Sequence, residues 1–316
     1  MRIETTIGGF LFSADMGTGT DASISTSPYD PEHLQPSAFD LPFACAAPFT
    51  SGDFTASVDS GASINCAVIS SLCAHSNGTH TECVGHVLPG RVTLGGLARA
   101  FGTPPGGLIP AILLSVRPEM LGESGDEYAP GNSSDRVISF CSVSRALDTL
   151  AGGLAAMHGN GALAGVPHAL LAAGGGVCLR TIPNTFLKRS ARWSHAAAPY
   201  LTPAALSLLL ALGACHIAVD LPSLDREEDG GELLSHRMWW SLPHRGEPSA
   251  LPNTFAATAA SNGAKRLVTE LAFFPDTCED GIYLLNIAVA PIDMDAAPSR
   301  LTLHTLTLTT SQAINH

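Results

Sequence analysis

Thr202-Pro-Ala-Ala-Leu-Ser-Leu-Leu-Leu-Ala-Leu-Gly-Ala-Cys-His-Ile-Ala-Val-Asp-Leu-Pro-Ser-Leu-Asp225 holds a complete helix, strand and turn. Thr202 is a natural N-cap, Pro203 suits the first helical position and Gly213 suits the end, so the apolar run 204–212 predicts a helix of about ten residues. Cys215 to Asp220 then reads as a buried strand, and Asp220 to Asp225 as the turn at its C-terminal end. Working outward, Gly176 to Ile182 reads as a second buried strand, and 281–292 and 300–310 as two more, rich in β-branched and apolar residues. A helix is expected from Thr93, as cap, through Phe101, and another after Ser144 over 145–157. Residues 61–72 read as a strand leading into a polar cluster, and 121–135 as a surface loop. Strands and helices mix without strict alternation. The expected fold is α/β (α+β): a large mixed β-sheet flanked by helices, in a single domain spanning 1–316.

Composition narrows the function. Hydrophobic residues make up 45% of the 316 and charged residues 14%, which excludes disorder for most of the chain. A net charge of −12 argues against nucleic acid and against anionic membrane surfaces. No apolar run approaches the roughly 20 residues of a membrane span, and the first residues make a poor secretory signal, so a cytoplasmic location is expected. The eight cysteines contain no C-x-x-C pair and read as reduced, mostly buried thiols. Low aromatic content and small-residue-rich surfaces suit packing into a homo-oligomer.

Chemistry concentrates in His75-Ser-Asn-Gly-Thr-His-Thr-Glu-Cys-Val-Gly-His86. In an extended chain His80, Glu82 and His86 share one face, whereas a helix would set His80 and Glu82 roughly 200° apart. Two imidazoles and a carboxylate on one face suit a zinc-class cation; a solvated polar face or hydrogen-bonded histidines would read the same. Asp220, Ser223 and Asp225 lie where α/β sheets place ligands, although they are also ordinary turn formers. His236 and Glu270 follow downstream. His158, His168, His195 and His244 have no partner at ligand spacing, His304 reads as structural, and Trp239 with Trp240 suits either a pocket wall or the core.

Together these segments resemble the cyclase-like metal-dependent hydrolases, the family of bacterial kynurenine formamidases and isatin hydrolases. The resemblance runs from about residue 20 to 310. It rests on Gly78-Thr79-His80 and His86 of an H-x-G-T-H-x-D-x-P-x-H pattern, on the D-x-P-S-x-D turn 220–225, and on the later His236 and Glu270. It implies a swivelling β/β/α fold and metal ligands at His80, Glu82, His236 and Glu270. The chain departs from the pattern at Ser76, Glu82 and Val84, which stand where the family has His, Asp and Pro. The possible substitute ligands are Ser76 itself and His75, which lies one position from the missing histidine with the wrong strand parity and so can substitute only if a bulge near Asn77-Gly78 re-aims it. Residues of about 240–264 look like an inserted loop.

The resemblance implies a divalent ion, zinc or alternatively manganese, and the loss at Ser76 favours one ion over two. The implied activity is hydrolysis of a C–N acyl bond (EC 3.5) in a small amide, formamide or lactam, aromatic or cyclic, by metal-activated water. His86 would move the proton and Glu270 would complete the catalytic set. The competing reading is a non-catalytic metal- or small-ligand-binding protein that keeps this fold with a degraded ligand set.

Overall fold

A computed structural model of the chain describes residues 1–102, 105–245 and 262–309. Its centre is a closed ring of seven strands, labelled in chain order: β1 (His80–Glu82), β2 (Gly106–Val116), β3 (Gly176–Thr181), β4 (His216–Val219), β5 (Leu267–Glu270), β6 (Gly281–Val289) and β7 (Ala296–Thr305). Around the ring the order is β6-β2-β3-β4-β5-β1-β7, and β7 pairs back onto β6. Strands β2 to β5 run parallel to one another, while β1, β7 and β6 complete the circle through antiparallel pairings. The mixed sheet is therefore a barrel.

Alternation along each strand separates two cores. Ala111, Leu113, Cys178, Ala218, Leu285, Leu301 and Leu303 pack inside the ring. Their neighbours Ile112, Leu114, Val177, Leu179, Ile217, Val219 and Val268 face outward. There they meet helices α2 (Phe140–Met157), α3 (Val166–Ala172) and α4 (Pro203–Ala211) through Leu147, Leu170, Leu206 and Leu209. Helix α1 (Leu94–Phe101) begins after Thr93, whose hydroxyl accepts the Gly96 N–H at 3.0 Å. Thr202 caps α4 through the Ala205 N–H in the same way, and the chain leaves that helix at Gly213, with φ +96°. Among the described residues no helix is long and apolar enough to cross a membrane.

Several expectations change. Helix α2 starts at Phe140, because Ser139 and not Ser144 is its cap: the Ser139 hydroxyl accepts the Ser142 N–H, and Val143 is already buried. The strand expected within 61–72 exists as Ala67–Ser70 but pairs with Cys45–Pro48 in an exposed ribbon, and a turn separates it from β1. Residues 121–135 are not a plain surface loop, since Leu121 and Tyr128 pack with Val137 and Tyr200. Only Cys83, Cys178 and Cys278 are buried; Cys45, Cys66 and Cys141 are exposed, two of them on the ribbon, and all eight are free thiols. Of the loop expected at about 240–264, residues 246–261 lie outside the described residues.

Candidate metal centre

Strand β1 carries the centre because of where it sits in the ring. It lies between β5 and β7, with His80 opposite Glu270 and Glu82 opposite Val268 and Ala296. Opposed residues share a face, so His80, Glu82 and Glu270 all project outward. Thr81 and Thr269 project inward, where their hydroxyls meet at 2.7 Å and Thr269 reaches His216 Nε2 at 3.1 Å. Burial pushes the His216 imidazole down to about 3, which keeps it neutral. Each side of these two strands thus has its own polar system.

Helix α5 (Leu234–Trp239) brings His236 over the outer face. Asp225, from the turn after β4, accepts the N–H groups of Ser235 and His236 at 2.6 and 3.0 Å and holds His236 Nδ1 at 2.6 Å. One carboxylate therefore caps the helix and aims its imidazole. The same turn clamps Glu270, whose Oε1 accepts the Leu224 N–H at 2.9 Å.

The result is a buried cluster. His236 Nε2 lies 2.8 Å from Glu82 Oε1 and 3.2 Å from Glu270 Oε1, and His80 Nε2 lies 3.4 Å from Glu270 Oε2. His75 Nδ1 and His86 Nδ1 stand 3.3 and 3.6 Å from Glu82 Oε2. Despite this proximity, His80 Nε2, His236 Nε2 and both Glu82 oxygens form no hydrogen bond, although they are fully buried. The atoms are near one another but aimed past one another. Such orphaned atoms are costly unless something of opposite character sits among them. A divalent cation would fit among them, since imidazole nitrogens and carboxylate oxygens are the donors it takes.

The far nitrogens support this fit. His80 Nδ1 lies 3.1 Å from the Gly78 carbonyl and His236 Nδ1 faces Asp225. Neither partner can donate, so both Nδ1 atoms carry hydrogen and both Nε2 atoms are the ones turned toward the carboxylates, where a cation would take the place of a proton. Without a cation, protons compensate the carboxylates. Burial opposes a charged His236, yet Glu82, Asp225 and Glu270 hold its pKa well above the usual value. Burial likewise opposes ionised Glu82, yet His86 and His236 hold it well below the carboxylate range. Cys83, next along the chain, faces the other way, with its Sγ 4.0 Å from the Val92 carbonyl oxygen, and burial pushes its thiol up to about 12.

Two glycines shape β1. Gly78 adopts φ +149°, and a β-carbon there would lie 2.7 Å from the Ile24 carbonyl oxygen. After Glu82 the strand stops and Val84–His86 forms a 3₁₀ turn that brings His86 back to the cluster, its side chain 27% exposed at the mouth. This bend at Val84-Gly85 is what brings His86 to Glu82. Gly85 is needed there because a β-carbon would overlap the Val92 carbonyl oxygen. Gly85→Ala should cost about 3 kcal/mol or more by forcing that backbone apart, measured by urea unfolding. An unchanged midpoint would contradict the packing.

The structure gathers His75, His80, Glu82, His86, His236 and Glu270 in one place, with Asp225 behind them. Others lie elsewhere. Asp220 binds Lys188 Nζ at 2.6 Å and Thr181, apart from the cluster. Ser223 accepts the Asp225 N–H. The Ser76 hydroxyl bonds both the N–H and the carbonyl of Ala38, so it is not a substitute ligand. His75 enters from a turn rather than from a strand, so strand parity never applied to it and no bulge is needed. Trp239 and Trp240 are fully buried core residues, with the Trp240 ring 5.5 Å from His236. Sequence reading missed Asp295 and Lys188, which carry no local motif.

A closed mixed barrel with an imidazole–carboxylate cluster on its outer wall defines a mixed α/β protein with a candidate divalent-metal centre. No family model matches the sequence, and curated proteins give no significant match. Solved structures do resemble the chain. A predicted metal-dependent hydrolase from Bacillus stearothermophilus is 15% identical with a TM-score of 0.48, covering 91% of this chain and 98% of that one. An isatin hydrolase bound to the product analogue thioisatinate is 14% identical with a TM-score of 0.45, covering 92% of each chain. Isatin hydrolase A from Ralstonia solanacearum is 12% identical with a TM-score of 0.46, covering 91% and 92%.

Proposed function

We propose that this chain is a cyclase-like metal-dependent hydrolase that cleaves a C–N acyl bond in a small amide, formamide or lactam, aromatic or cyclic. The observation that carries the proposal is the set of buried, inward-facing nitrogen and oxygen atoms of His80, His236 and Glu82 with no hydrogen-bond partner. His80, Glu82, His236 and Glu270 would hold the ion, zinc or alternatively manganese. With His75 beside them, the ligand count no longer limits the site to one ion. A divalent cation supplies acidification of water and polarisation of the carbonyl.

The chain supplies the rest. Asp225 and the Gly78 carbonyl keep two imidazoles in the ligand tautomer, and the clamp from Leu224 N–H fixes Glu270. His86 sits half-buried between the cluster and solvent, with Nδ1 beyond hydrogen-bonding distance of Glu82 and Asp295. From there it would protonate a leaving nitrogen, which an amine anion requires.

Two measurements test the reading. The zinc- or manganese-loaded protein should hydrolyse members of a panel of N-formyl aromatic amines and lactams, and chelation should abolish the activity. Cleavage of none would defeat the proposal. His86→Ala should lower turnover about 10²-fold while bound metal stays near the wild-type level. If the variant loses its metal, His86 is a ligand and the assignment is wrong.

A further inference from the structure

Asp295 immediately precedes β7, whose Ala296 stands opposite Glu82. Its backbone carbonyl accepts the Cys83 N–H at 2.9 Å, so the ladder that places Glu82 also places Asp295. Its Oδ2 lies 3.0 Å from His75 Nε2 in a hydrogen bond, and 3.6 Å from His86 Nδ1. The other His75 nitrogen faces Glu82, and donor atoms of His75, His80 and Glu82 lie within 4.8 Å of one another.

We propose that Asp295 is the positioning residue that makes His75 a metal ligand, in place of the imidazole that Ser76 does not offer. This rests on the metal-centre reading above. A carboxylate accepts but does not donate, so the Asp295 contact puts a hydrogen on His75 Nε2 and leaves Nδ1 as the nitrogen that faces Glu82, where a cation would take the place of a proton. The arrangement repeats the one in which Asp225 holds His236 and the Gly78 carbonyl holds His80. All three imidazoles then have one nitrogen anchored outside the cluster and one inside. Ligating histidines take this form, and the outer carboxylate fixes both tautomer and ring orientation. Asp295 also compensates for geometry: a histidine in a turn lacks the strand ladder that fixes His80, so its aim needs a second restraint.

The test is zinc affinity by chelator competition for wild type, H75A, D295A, D295N, the H75A/D295A double variant and E82Q, with the unfolding midpoint of each metal-free protein as control. H75A and D295A should each weaken binding about 10- to 100-fold. The double variant should be no weaker than H75A alone, because Asp295 acts through His75. D295N keeps an acceptor oxygen and should fall nearer wild type than D295A. Metal-free midpoints should fall alike in H75A and D295A, because His75 bridges the two carboxylates without a cation, whereas a merely structural role would lower the midpoints and leave zinc affinity unchanged. The proposal is overturned if D295A binds as tightly as wild type, or if the losses of H75A and D295A multiply in the double variant. The two levels separate cleanly. A wild type that takes up no zinc defeats the metal centre itself, whereas one that loses zinc with E82Q but not with H75A or D295A defeats only the role of His75 and Asp295.

Discussion

Glu82→Gln should strip the protein of tightly held metal and lower hydrolysis by about 10³-fold or more. The glutamate is fully buried, approaches three imidazoles and has no hydrogen bond on either oxygen. Its charge is the largest single reason for a cation to enter. The amide keeps the shape but replaces one acceptor by a donor and removes the negative charge. Ligand-linked stabilisation should vanish with it: wild type should melt at a lower temperature after chelation, whereas the variant should melt at the same temperature with and without metal. Elemental analysis of purified protein gives the second readout. Metal content equal to wild type would mean that Glu82 is not part of the centre.

Asp225→Ala should have the largest effect on stability. The side chain accepts from Ser235 N–H, His236 N–H, His236 Nδ1 and the Tyr128 hydroxyl, and all are buried. Truncation leaves those donors without a partner and frees the imidazole to rotate. A loss of about 3 to 5 kcal/mol is expected from urea unfolding in chelator, with a further 10- to 100-fold loss in metal affinity. Asp225→Asn should recover part of the stability, since its carbonyl still caps α5. A variant with unaltered unfolding and metal binding would show that the helix is held by its packing alone.

Local signals carried much of the fold. The cap, proline and glycine around 202–213 specify a helix by short-range chemistry, and β4 is apolar after His216 because both of its faces are covered. Ring closure was not legible. It depends on β6 pairing with both β2 and β7, and no local pattern encodes which strands meet across 170 residues. The centre divides the same way. His80 and Glu82 share a face by parity, and His236 and Glu270 came from the family resemblance. Asp295 reaches the site only through register, and His75 through a turn whose form depends on Ser76 binding Ala38. The need for Gly85 has no local signal either, because what it provides is room for the Val92 carbonyl.

The two glycines that bracket β1 divide the motif into a part that can change and a part that cannot. Between Gly78 and Gly85 the backbone is pressed against the Ile24 carbonyl at one end and the Val92 carbonyl at the other, inside a ring with no free edge. An insertion or deletion within that stretch would break the clamp, the ladder or both, so the spacing of His80 and Glu82 is rigid. Upstream of Gly78 the chain is a turn outside the ladder, where a change of side chain leaves the register of β1 as it is. The rigid and the adaptable parts of the motif therefore meet at Gly78.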